Sequence, residues 1–317
     1  MVTAEGGVRS RSHLAGLDGV RGLAILLVLA IHFLGMRTPQ GRGQYLLVKA
    51  AGYGMLGVDL FFVLSGFLIT GLLLDGRTEP RPLRNFYARR VLRIFPLYFG
   101  VLVACYLVLP LVLSLPPAFA AVRTHQAWLW TFTSNLFTAI HGSWTSLNYL
   151  SHFWSLAIEE HYYLLWPLVV LAVQPRTLER ISIGVVAGAL LLVSLGPPSS
   201  PVARAFRSPV LGFFGKYSYG LYVYSGIWTW IFLEKDLDGR LDALLGNHAL
   251  TIAVHGALGV TLSLLIAVAS YQLYERHFLA LKRYFGGTAD RPRGAQAVHG
   301  EPVAAPAGLT PGREPPR

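Results

Sequence analysis

The chain has 317 residues, of which 53% are apolar and only 14% charged, and its mean hydropathy is +0.48. An ordinary soluble domain carries roughly 25% charged residues. So little polar surface cannot cover a soluble sphere of this size, which excludes a disordered chain, a disulfide scaffold and nearly all soluble globular domains.

The net charge of +11 would suggest a nucleic-acid partner in a soluble domain. Here no nucleic acid is expected, because most Lys and Arg sit between apolar blocks. Six Arg fall between Arg77 and Arg93. That is the pattern of cytoplasmic loops that flank membrane spans and face anionic headgroups or phosphorylated substrates. The single cysteine, Cys105, lies in an apolar block and has no partner for an intrachain disulfide.

Six apolar blocks read as spans: Leu17–Leu34, Tyr53–Leu74, Ile94–Leu115, Phe153–Val173, Gly212–Leu233 and Ala249–Leu273. Each is near the ~20 residues that cross ~30 Å of hydrocarbon. No small-residue cleavage site follows the first block, so it is read as a span and not as a signal peptide. Trp128–Ile140 is amphipathic and rich in Thr, Ser and Asn, which suggests an interfacial or re-entrant helix. Ile181–Leu195 is short, about 22 Å as a helix. Counting both of these as spans gives eight. The expected fold is therefore an all-α, polytopic transmembrane bundle of about 6–8 spans in the plasma membrane. Residues 1–13 would be a cytoplasmic N-terminus, 14–285 the membrane domain and 286–317 a disordered cytoplasmic tail.

Loop charge orients the chain. With the N-terminus inside, the six-Arg loop and the basic segments around Arg176 to Lys216 fall inside. The loop Glu234–His248, with four acids against two bases, falls outside.

Ionisable residues within spans are functional candidates by default. The first span holds Asp18, Arg21 and His32. Arg21 and His32 are eleven residues apart, about three turns, so they share a helix face about 16 Å apart along the axis. Asp18 is three residues before Arg21 and can pair with it. Asp59 lies near the outer end of the second span, as a helix cap or a site residue. Arg90 and Arg93, in the loop before the third span, project together at i, i+3. Two guanidinium groups at that spacing suit a phosphate or pyrophosphate. In the fourth span Ser155, Glu159 and Tyr163 line one face, while Glu160 points elsewhere, towards headgroups. A carboxylate and a hydroxyl on one face can orient an imidazole.

These pieces together resemble the acyltransferase 3 family of integral-membrane O-acyltransferases. The matching segments are Leu17-Asp-Gly-Val-Arg-Gly-Leu-Ala24 running to His32, Gly57-Val-Asp-Leu-Phe-Phe-Val-Leu-Ser-Gly-Phe67, Arg90-Val-Leu-Arg-Ile-Phe-Pro-Leu-Tyr98, Phe153-Trp-Ser-Leu-Ala-Ile-Glu159, Ser218-Tyr-Gly-Leu-Tyr222 and Tyr274-Glu275. The resemblance implies transfer of an acyl group, acetyl above all, from cytoplasmic acyl-CoA to a hydroxyl of a carbohydrate or glycosylated small molecule. It implies acyl-CoA as donor substrate, no bound cofactor and no metal. It carries the family's Arg-x10-His motif onto Arg21 and His32, its Arg-x-x-Arg motif onto Arg90 and Arg93, and its Ser-x-x-x-Glu motif onto Ser155 and Glu159. On that basis His32 is the expected general base, with Glu159 orienting it. Arg21, Arg90 and Arg93 are expected to hold substrate, with Asp18, Asp59, Ser155 and Tyr163 lining its path.

Two departures from the family stand out. Tyr224 and Ser225 occupy the place of a usual Trp-His pair, and the stretch between Pro167 and Tyr217 is short. The alternative readings are a shortened, catalytically impaired member and a membrane transporter.

Overall fold

The computed structural model describes residues 15–77, 80–112, 123–142, 147–172, 206 and 208–285. The short block Ile181–Leu195, the tail from Gly286 and the first fourteen residues lie outside the described residues.

Among the described residues the chain is helical and has no strand. Helix α1 (Ala15–Ala30) runs on through a π-turn, Ile31–Gly35. Helix α2 (Arg42–Gly52) leads through a 3₁₀ turn into α3 (Leu56–Asp75). Helix α4 (Pro82–Val103) continues through a second π-turn, Ala104–Val108, to Val112. Two short helices follow, α5 (Ala127–Trp130) and α6 (Ser134–His141). Then come α7 (Phe153–Ala172), α8 (Pro209–Glu234), α9 (Leu237–Leu245) and α10 (His248–Ser270). Helix α10 passes through a third π-turn, Tyr271–Glu275, into short turns that reach Phe285.

Local sequence explains several boundaries. Pro82 and Pro209 sit at the starts of α4 and α8, where the missing N–H costs nothing. Ser208 caps α8 by accepting from Leu211 N, and Asn247 caps α10 by accepting from Ala249 N and Leu250 N. Asp18 in the first turn of α1 complements the helix dipole.

Among the described residues four helical segments are long and apolar enough to cross a membrane: Gly16–Gly35, Arg42–Asp75, Pro82–Val112 and His248–Phe285. That is fewer than the six to eight expected. Helices α7 and α8, of 20 and 26 residues, have the length. Their Glu, Tyr, Gly, Ser and Trp dilute the apolar run because these helices line the interior. The stretch Trp128–Ile140 falls in α5 and α6, of four and eight residues, each too short to span.

Helix α1 packs most extensively on α8 and next on α3; α8 also packs on α10, and α3 on α7. The shared core holds Ile25, Val28, Leu29, Phe33, Tyr98, Leu102, Phe153 and Leu221. Exposed apolar side chains such as Leu111, Leu164, Leu165 and Leu265 point outwards, as a bilayer-facing surface requires.

Candidate active site

The site is built on α1, α3, α4, α7 and α8. Its inner part is a cavity lined by Arg21, Ser65, Arg90, Arg93, Ser155, Glu159, Tyr163 and Tyr222 among apolar neighbours. A second hollow shares Arg21, Arg93 and Tyr219 with it and adds Asp18, Lys216 and Glu275. The two hollows are neighbours through the three side chains they share.

Arg21 Nη1 lies 3.5 Å from Asp18 Oδ1, the expected i, i+3 pair. Arg90 and Arg93 are electrostatic neighbours of Arg21. The sequence put these two arginines on a helical stretch before the third span. They lie in the third and fourth turns of α4, which begins at Pro82 and runs on unbroken into the apolar block, so they belong to the spanning helix itself. Arg90 sits over the rings of Phe86 and Tyr163, 5.7 and 5.6 Å from their centroids. Such cation–π contact holds a guanidinium without neutralising it. Lys282, near the end of α10's extension, feels the charges of Arg21, Arg89, Arg90 and Arg93.

Glu159 faces this cationic cavity. Its Oε1 accepts from Ser65 Oγ at 3.0 Å, and Ser65 in turn accepts from Tyr163 OH at 3.2 Å. Glu160 is half-buried, with Oε1 shielded from solvent, and so is not simply a headgroup contact.

His32 belongs to a different layer. Its Nδ1 is 2.9 Å from Ser225 Oγ. Ser225 Oγ also lies 3.2 Å from Tyr222 O, and when it donates there it accepts from His32 Nδ1–H. In that tautomer the lone pair of His32 sits on Nε2. Thr229 Oγ1 donates to His32 O at 3.3 Å and to Ser225 O at 2.9 Å. A π-turn leaves carbonyls short of helical partners, and Thr229 supplies one.

The ring of His152 lies 6.0 Å from that of His32, edge to face. His152 Nε2 donates to Val223 O at 2.9 Å, tying α7 to α8. The ring presses on Gly226, where any Cβ would overlap it. Between the two layers Tyr222 OH donates to His152 O at 2.9 Å and is in short contact with Ser155 Oγ.

Glu159 and His32 were expected to pair, and they do not. Glu159 is seven residues beyond His152 on α7, about 10 Å further along the axis. His152 already stands level with His32, so the carboxylate falls to the level of the arginines. Asp59 is exposed in the first turn of α3 and does not line the cavity. The remaining candidates, Arg21, Arg90, Arg93, Ser155, Glu159 and Tyr163, are brought together around the cavity.

Sequence reasoning missed Ser65, His152, Tyr222 and Thr229, and it read Ser225 only as a departure. A signal existed. Ser218, Tyr222, Ser225 and Thr229 recur at spacings of four, three and four, one face of a helix. All four are buried. A polar stripe at that period in an apolar block marks an interior face.

The constellation is thus an arginine-lined cavity inside an apolar helical bundle, with an imidazole layer beyond it. The chain belongs to the acyltransferase 3 family: the family model described as an acyltransferase domain matches residues 14–198. Similar curated proteins include the peptidoglycan O-acetyltransferase OatA of Listeria monocytogenes, 30% identical over 210 residues, which are 62% of this chain and 31% of that protein. The O-acetyltransferase OatA of Staphylococcus aureus is 36% identical over 172 residues, 51% of this chain and 25% of that one. The putative peptidoglycan O-acetyltransferase YrhL of Bacillus subtilis is 30% identical over 207 residues, 61% and 30% of the two chains. The matched part thus spans a quarter to a third of these relatives' length. No solved structure matches the chain.

Proposed function

We propose that the protein is a plasma-membrane O-acetyltransferase that takes acetyl from acetyl-CoA at the cytoplasmic face and passes it to a carbohydrate hydroxyl at the outer face. The observation that carries this reading is the cavity lined by Arg21, Arg90 and Arg93, whose lining also includes Ser155 and Tyr222, the residues in contact with the backbone of His152. Guanidinium groups in a low-dielectric bundle demand an anion, and the phosphates of CoA supply one. Arg21 and His32 are about 16 Å apart along α1, of the order of the pantetheine arm.

In this mechanism Arg90 and Arg93 bind the phosphates, and Arg21 lines the path of the arm. Glu159, held by Ser65 and Tyr163, sets the charge balance of the cavity. His32 Nε2 accepts the proton of the acceptor hydroxyl. The hydroxyl oxygen attacks the thioester carbonyl carbon, the C–S bond breaks, and the CoA thiolate leaves and is protonated. Ser225 holds the imidazole by its Nδ1–H, the part first expected of Glu159.

The names of the similar proteins support a cell-wall polysaccharide as acceptor. Ser225, where the family usually carries histidine, favours a second reading, a catalytically impaired member. Thiol release from acetyl-CoA by the purified protein, with peptidoglycan fragments as acceptor, separates the two. Acceptor-dependent release, lost in His32→Ala, supports the first reading. A wild-type protein with no release supports the second.

A further inference from the structure

Three charged or titratable side chains at the outer end of the bundle take no part in the site above. Arg37 follows the π-turn by two residues, and its side chain is only 4% exposed. Asp238 lies in the first turn of α9. His255, on α10, is fully buried. Arg37 Nη1 donates to Asp238 Oδ2 at 2.5 Å, and Asp238 Oδ1 is 2.6 Å from His255 Nδ1. One carboxylate therefore joins three separate elements.

The surroundings lead from this group to His32. The ring of His255 packs 5.0 Å from Phe232 and 6.4 Å from Phe33, and Phe33 is the residue next to His32. Gly259 leaves the room Phe33 occupies, since a Cβ there would overlap its ring. A second tie runs parallel to the first. His248 Nδ1 lies 2.8 Å from Asp242 Oδ2, and its Nε2 donates to Thr38 O at 3.0 Å. Both acids of α9 thus hold the segment that leaves the π-turn.

Helix α9 is built to present them. Asp236 caps it, accepting from Gly239 N at 3.2 Å, and Gly246 ends it in the left-handed region at φ +61°. Pairing a buried guanidinium with a partly exposed carboxylate is a weak route to stability but a good one to register. Burial pushes the Asp238 carboxyl up, but the His255 ring 2.6 Å away and the charge of Arg37 outweigh it and hold the group down to about 2. The carboxylate therefore stays charged over the working range.

We propose that Arg37, Asp238 and His255 are positioning residues: they latch the outer end of α1 to α9 and α10 and so fix the π-turn that presents the His32 imidazole. The inference rests on the reading of His32 as the base. Its test carries one readout that does not need that reading.

The test uses the full chain in nanodiscs, as wild type, Asp238→Asn, His255→Leu and His255→Gln. Acetyl transfer should fall about tenfold or more in kcat for Asp238→Asn and His255→Leu. KM for acetyl-CoA should stay within about twofold, because the arginine cavity lies at the other end. His255→Gln keeps an N–H for Asp238 and should restore most of the loss. Independently, diethyl pyrocarbonate acylates exposed imidazoles. Peptide mass spectrometry should show His32 modified about tenfold faster in Asp238→Asn than in wild type. Unchanged kcat together with unchanged His32 labelling overturns the latch. A wild type inactive in transfer, but with faster His32 labelling in Asp238→Asn, overturns the transferase reading and keeps the latch. If Asp238→Asn fails to fold, Arg37→Lys carries both readouts with the same expected signs and the same overturning result.

Discussion

Replacing Ser225 by Ala removes one oxygen and little else. Ser225 is fully buried, and its Oγ accepts from His32 Nδ1 at 2.9 Å. Without it, the Nδ1–H of His32 has lost the acceptor that fixes both ring orientation and tautomer. An orphaned buried donor costs about 1–3 kcal/mol. If that cost is felt in the transition state, kcat falls by about 5- to 150-fold at 1.36 kcal/mol per decade. KM for acetyl-CoA should hardly change, since Arg21 lies about three turns away along α1 and Arg90 and Arg93 line the same cavity as Arg21. The assay is thiol release at saturating donor, with ¹⁵N spectra of labelled imidazole reporting the tautomer. Ser225→Thr keeps the hydroxyl and should recover part of the rate despite about 1–3 kcal/mol of overpacking. A Ser225→Ala protein that matches wild type in kcat, while His32→Ala is inactive, would refute the reasoning.

Other outcomes follow from the same geometry. Arg90→Lys or Arg93→Lys should raise KM for acetyl-CoA by about tenfold and leave kcat nearly intact, because lysine binds phosphate as a point charge and loses the bidentate fork; equal KM values in steady-state titrations would count against the clamp. Gly226→Ala forces a Cβ into the His152 ring and should destabilise the protein by about 1–3 kcal/mol, read as a lowered midpoint of thermal unfolding in detergent. Asp238 is more acidic folded than unfolded, so its contribution is present above about pH 4 and is lost as pH falls towards 2. Wild type should therefore lose stability over that window more steeply than Asp238→Asn, measured by unfolding at fixed temperature; parallel curves would remove the ion pair from the account.

Much of the architecture was legible in the sequence because the bilayer imposes a coarse rule: about 20 apolar residues make a span. Among the described residues that rule found the six longest helices, four of which lie in segments long and apolar enough to span. It failed on their ends, since Arg90 and Arg93 look like loop residues by charge although α4 begins eight residues before Arg90. The cationic cavity was also legible, because Asp18, Arg21, Arg90, Arg93 and Glu159 are costly in a membrane and so mark themselves. The error lay in pairing Glu159 with His32. Sequence gives the face of a helix but not the depth at which two helices meet. The level of α7 against α1 is set by His152 on Gly226 and by Tyr222 on Ser155, contacts between residues 67 to 74 positions apart. The latch of Arg37, Asp238 and His255 was hidden for the same reason, with partners 201 positions apart.

The most direct measurement is acetyl transfer across a sealed bilayer. With the protein in proteoliposomes, labelled acetyl-CoA on the arginine side and a saccharide acceptor on the other, label should appear on the saccharide across the membrane while CoA stays behind, and His32→Ala should stop it. Transfer that occurs only when donor and acceptor share a side, or that survives loss of His32, contradicts the account.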